Sequence, residues 1–223
     1  MSLSQDPAFQ VLKQYFVCGV RDISGLPYSG FSESHKPTGV AVDTSNGAGP
    51  HNIQLFVLSG DGTVLTCLPG FWSPQDLVGE LQLAEDLNRV WLNPNLSRVQ
   101  KDNIFRAMQL GHMRQHPPQL VSRSQMQGFD KVYEVKHRRH SDVFASGQAT
   151  EAAVKTTDVI MHERMANQPF VPYDQFNVAA FVDYGRPNYD KNENMRTADG
   201  QTDPSKQLLK GVSKGALQVL NRL

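Results

Sequence analysis

Asn52–Ala84, NIQLFVLSGDGTVLTCLPGFWSPQDLVGELQLA, decides the fold class of this chain. Ile53–Leu58 is an apolar run rich in strand-forming residues. Ser59-Gly60-Asp61-Gly62 supplies a tight turn, because Asp-Gly tolerates positive φ. Val64–Leu68 reads as the returning strand. Ser73 then stands where a helix cap belongs, Pro74 suits the first helical position, and Asp76 puts a carboxylate near the positive helix end. Leu77, Leu81, Ala84, Leu87 and Trp91 recur at helical spacing and predict one buried stripe, with the helix running to about Trp91.

Upstream, Asp6 and Pro7 are expected to open a helix with Phe9, Leu12 and Phe16 toward a core, followed by a strand over Phe16–Asp22. Residues 23–51 are rich in Gly, Pro and Ser, a long connection for a compact domain. Downstream, Asn93-Pro94-Asn95 breaks the chain. Leu96, Val99, Phe105 and Met108 predict a second amphipathic helix that stops near His116-Pro117-Pro118. Val132–Val135 reads as a short strand, residues 151–166 as helical, and 173–184 as a short helix among proline-bearing loops. Leu209, Val212, Ala216, Val219 and Leu223 share one face of a terminal helix, expected to dock on residues 1–92.

The stretch "DGTVL…LPGFWSPQDL" resembles the last hairpin and closing helix of the thioredoxin-like superfamily, in particular bacterial thioredoxin-domain proteins with helical extensions. "SQDPAFQVLKQYFVCGVRD" resembles the end of that family's active-site helix and the strand after it. The resemblance covers about residues 6–92. It implies an α/β fold: an incomplete thioredoxin-like domain over 1–92 and a mostly helical, loop-rich extension over 93–223. About fourteen residues precede the first strand, too few for the family's opening βα unit, so the chain is expected to begin partway through the domain. The family's cis-proline precedes the strand matching Ile53–Leu58; here Pro50 is near and Asn52 is closest. The resemblance also implies thiol–disulfide chemistry, but the chain has no Cys-x-x-Cys. Two functions stay open: a thioredoxin-family redox protein whose redox centre is missing from this chain and which is inactive as it stands, or a non-catalytic interaction module on the same scaffold.

Cys18 and Cys67 are the only thiols, and both read as small residues within apolar strands. Two cysteines in 223 residues exclude a disulfide-stapled scaffold. His112 and His116, four apart in HMRQH, share a helical face. Met113 stands where a zincin motif needs Glu. His116 is also explained as a cation near a negative helix end. His137 and His140 flank two arginines, and His162 lies beside Glu163 in a helical stretch. With no further ligand at a telling spacing, no catalytic, cofactor-binding or metal residue is assigned, and no cofactor.

The net charge is zero but uneven: residues 1–92 hold four Lys/Arg against nine Asp/Glu, and 93–223 hold eighteen against thirteen. Opposite signs suit docking of the two parts, or an acidic partner for the second. The basic run Lys136–His140 has only Tyr133 and Phe144 as aromatic neighbours, so it reads as a solvated face or an internal salt-bridge partner for the acidic half rather than a nucleic-acid surface. Asp183-Tyr184-Gly185-Arg186 with Tyr189 and Asp190 reads as a turn whose tyrosines cover the core, or as a pocket lining. No nucleotide loop, nucleophile elbow or kinase signature appears. No apolar run approaches the ~18 residues of a membrane helix. A protein partner and a homodimer remain open, as does location: cytoplasmic by default, exported if a leader lies upstream.

Overall fold

The hairpin and its capped helix form as the sequence dictates. In the computed structural model, β1 (Gln54–Leu58) pairs antiparallel with β2 (Val64–Pro69), placing Leu55 opposite Leu68 and Phe56 opposite Cys67, with a bulge at Val57/Leu58. Gly62 takes φ +84°, the conformation for which the turn selects glycine. Ser59 N–H donates to Thr63 O at 2.8 Å, and Asp61 Oδ1 accepts from Thr63 N–H at 3.0 Å. The other oxygen of Asp61 accepts from Trp91 Nε1 at 2.9 Å and ties the turn to the far end of α2 (Pro74–Leu92). Ser73 caps α2 by accepting from Asp76 N–H, with Pro74 at its start.

The structure describes residues 2–23, 26, 28, 44–48 and 53–185. These belong to one unit, residues 1–189. Around the hairpin lie α1 (Ala8–Tyr15), α3 (Arg98–Arg114), α4 (Pro118–Arg123), α5 (Gly128–His137), α6 (Thr157–Ala166) and the single turn α7 (Val178–Phe181). The result is a mixed α/β arrangement, mostly helical, with one two-stranded sheet among the described residues. A two-stranded ribbon is marginal on its own. Here every residue of β2 is buried, because α2 and α6 both pack on it.

The main core joins Leu12 of α1, Leu65 and Leu68 of β2, Leu77, Leu81 and Leu87 of α2, Phe105 of α3, and Met161 and Met165 of α6. It therefore draws on both sides of Asn93. Phe170 closes it, 4.8 Å ring to ring from Phe105 and 5.0 Å from Trp91. A smaller core gathers Met126, Val143, Phe144, Ile160 and Tyr184.

Three expectations are corrected. Phe16–Asp22 is not a strand: it is extended at Phe16, but Val17 and Val20 are fully exposed and no described strand lies beside it to take its hydrogen bonds. Cys18 is consequently exposed, while Cys67 is buried in β2 as read. Val132–Val135 lies inside α5, because Asp130 and Glu134 face inward at helical spacing and are satisfied there. At the first helix Pro7, not Asp6, occupies the cap position, and no side chain caps it. The apolar stripe Leu209–Leu223 lies outside the described residues, as do Pro50, Asn52, Arg186, Tyr189 and Asp190.

Candidate metal centre

Glu80 sits on the buried stripe of α2, between Leu77 and Ala84, and its side chain has no exposure to solvent. A carboxylate placed there must be matched by charge or protonated. Three imidazoles meet it. His112 lies in the last turn of α3, and His116 one turn on. The helix is started by a capping box, Ser97 with Gln100. It is stopped by Pro117-Pro118, so His116 falls at its exit, where His116 N–H donates to Met113 O at 3.3 Å. His162 comes from the middle of α6, flanked by Met161 and Met165 in the core.

The Nε2 atoms of His112, His116 and His162 each lie 3.4 Å from Glu80 Oε1. The four ligand atoms all fall within 4.8 Å of one another. The three rings pack edge-to-face or tilted, with centroids 4.8, 5.1 and 5.3 Å apart. A tetrahedral zinc site with bonds of about 2.1 Å has ligand–ligand edges of about 3.4 Å. The three edges that meet at Glu80 have that length.

Hydrogen bonding orients the rings toward a common point. His116 Nδ1 donates to Asp158 Oδ2 at 2.8 Å. His162 Nδ1 donates to Gln109 Oε1 at 2.6 Å, and the Gln109 amide is turned that way by its Nε2, 3.5 Å from Leu65 O of β2. Both rings therefore aim Nε2 inward, and outer partners of this kind fix the tautomer of metal-bound histidines. The Nε2 atoms of His116 and His162 and Glu80 Oε2 are buried with no hydrogen-bond partner. Buried polar atoms are almost always paired, so two orphaned Nε2 atoms facing one buried carboxylate, whose second oxygen is also unpaired, call for a bound group.

The electrostatics agree. Burial by itself would raise the Glu80 carboxyl, but the three histidines, His162 foremost, hold it well below the ordinary carboxylate range. Burial likewise pulls His116 down, and Asp158 and Glu80 outweigh it, leaving its pKa at about 9. The cluster thus sets buried carboxylates against imidazoles, and a bound cation would take the place of the protons those rings carry. A divalent ion balances Glu80 and Asp158 together, leaving the buried site uncharged.

Sequence reading brings His112 and His116 onto one face, as the structure has them, and places His162 on a helix. It misses Glu80, Gln109 and Asp158. The available signal was chemical: Glu80 and His162 each interrupt an apolar helical stripe. The other candidates go elsewhere. His137 Nδ1 lies 2.8 Å from Tyr133 O, with the two rings stacked. His140 sits between Glu134, at 3.0 Å, and Asp183, at 2.8 Å. Arg138 ends α5 in a left-handed turn. Tyr184 is buried and donates to Gly47 O at 2.7 Å, and Gly185 N–H donates to Glu134 Oε1 at 2.7 Å, so that segment covers the core. His35 and His51 lie outside the described residues. No described helix is long and apolar enough to cross a membrane.

No family model matches the chain, and neither a curated protein nor a solved structure matches it.

Proposed function

We propose that this protein binds one divalent transition-metal ion, zinc in the first instance, through Glu80, His112, His116 and His162. The observation that carries this reading is the convergence of three histidine Nε2 atoms at 3.4 Å on one buried carboxylate oxygen. Three imidazoles and a carboxylate suit zinc, and four protein ligands make a closed site of the structural kind. Its ligands come from α2, from the end of α3 and from α6, so the ion staples three helices over the hairpin. That fits the second of the two functions left open by the sequence, a non-catalytic module, with the hairpin and α2 taken as the closing unit of a thioredoxin-like domain. Thiol–disulfide turnover finds little support in the thiols present: Cys18 is exposed, Cys67 is buried, and burial pushes the Cys67 thiol well up, away from the reactive thiolate.

The test is calorimetric titration of chelator-stripped protein with zinc. One ion per chain is expected, with binding lost in Glu80→Gln and in His162→Ala. Failure of the intact protein to take up zinc or cobalt, or unchanged uptake by both variants, rejects the reading.

A further inference from the structure

The four ligands of the proposed centre are not equivalently held. Glu80 and His162 have no side-chain exposure and His116 has 3%, while His112 has 25%. His116 is anchored by Asp158 and His162 by Gln109. No described residue takes a hydrogen bond from His112 Nδ1, and its one polar contact is Glu80 itself. Beneath the ring lies Gly79 of α2, where a Cβ would stand 3.9 Å from His112 Cε1. With no side chain there, no other atom from outside α2 among the described residues comes within 4 Å of that position, so α2 sets no side chain against this edge of the ring. Outer partners add affinity by holding ligands in place, and His112 is without one.

We propose that His112 is the exchangeable ligand of this centre: the metal rests on the tripod Glu80, His116 and His162, and a solvent-borne donor takes the position His112 leaves. Water is that donor in plain buffer. A neutral imidazole leaves and neutral water enters, so the balance of the ion with Glu80 and Asp158 is unchanged. The tripod, two imidazoles and one carboxylate, is a ligand set that leaves zinc a fourth position open to solvent. The inference rests on the metal-binding reading above.

Cobalt(II) reports both, because four-coordinate cobalt absorbs visible light far more strongly than five- or six-coordinate cobalt. The full chain, stripped and loaded with cobalt, is expected to give the four-coordinate spectrum. Azide added to this protein is expected to alter the spectrum while the ion stays bound. His112→Ala is expected to keep one cobalt per chain, bound more weakly than by the unmodified protein. Its spectrum should shift at four-coordinate intensity, as water replaces the imidazole, and should return to that of the unmodified protein when free imidazole is added. His162→Ala should lose the ion outright. An azide-insensitive spectrum in the unmodified protein overturns the exchange, as does a His112→Ala protein that loses cobalt as fully as His162→Ala or keeps an unaltered spectrum. If His112→Ala does not fold, His112→Gln replaces it, and the azide titration decides without any substitution. An unmodified chain that binds no cobalt rejects the metal reading itself, a different result from each of these.

Discussion

Gln109 on α3 and His162 on α6, 53 residues apart in the chain, share a 2.6 Å hydrogen bond with neither residue exposed to solvent. The Gln109 oxygen holds the proton on His162 Nδ1 and so turns Nε2 toward Glu80. The amide nitrogen of the same residue faces Leu65 O of β2, which links the hairpin to the centre. Gln109→Leu keeps the volume and removes the acceptor. Its zinc affinity is expected to fall about 10–100-fold with the fold intact. Competition with a chromophoric chelator measures it; unchanged affinity would show that His162 needs no such support.

Metal removal should loosen the packing of α2, α3 and α6. An ion present at about a thousand times its Kd adds roughly 4 kcal/mol to stability. For a chain of this size that corresponds to a Tm higher by about 8–16 °C. Scanning calorimetry with and without chelator checks this, and His162→Ala should show no difference between the two conditions.

Asp76 joins three partner residues. Its Oδ2 accepts from Asn46 Nδ2 at 2.7 Å, Ser73 Oγ at 3.0 Å and Arg123 Nε at 2.8 Å, and its backbone N–H donates to the cap. Burial alone would raise its pKa, but Arg123, Asn46 and Ser73 outweigh it and hold the carboxyl below its ordinary value. A lowered native pKa contributes stability above the unfolded value of about 3.9, lost as pH falls through the native value. Asp76→Ala is expected to cost about 1–3 kcal/mol at neutral pH, since it leaves buried Asn46 and Ser73 without their acceptor while Arg123 remains part-exposed. In denaturant melts the deficit should shrink as pH is lowered below 4; a constant deficit would refute the assignment.

His140 gives the opposite slope. Its hydrogen bond to Glu134 raises its pKa, with burial opposing and Asp183 adding to the rise. A raised native pKa contributes stability that is complete below the unfolded value of about 6.5 and fades as pH rises through the native one. The Tm advantage of the unmodified protein over His140→Gln, both metal-loaded, should therefore be largest in mildly acidic buffer and decline toward alkaline pH. An advantage that grows with pH would contradict this pairing.

The two thiols should behave differently. Cys18 is exposed and Cys67 is fully buried in β2. A thiol reagent is expected to label Cys18 alone in the folded protein and both residues in denaturant. The folded chain should not reduce insulin above background. Turnover abolished by Cys18→Ser or Cys67→Ser would be counter to this.

The local elements were legible because local rules govern them. Asp61-Gly62 between two apolar runs forms a hairpin through backbone preference alone, and Ser73-Pro74 with Asp76 starts a helix through capping alone. Likewise Pro117-Pro118 ends α3 because proline bars helix continuation. Phe16–Asp22 and Val132–Val135 were misread because an apolar run of four to seven residues suits strand or helix equally. What decides is the neighbour: the first segment has no described strand to pair with, and the second has the smaller core, on which Val135 packs.

Sequence by itself determined the hairpin, the helix after it, the buried state of Cys67, and that His112 and His116 lie on one helical face. Each follows from residues fewer than about ten apart. Tertiary structure alone decided that Glu80, 32 residues before His112, and His162, 46 residues after His116, would complete the centre with them. No spacing rule connects three helices. Their meeting is set by the packing of α2, α3 and α6 on one apolar core, which carries its charged residues inward where only a cation or a proton can balance them.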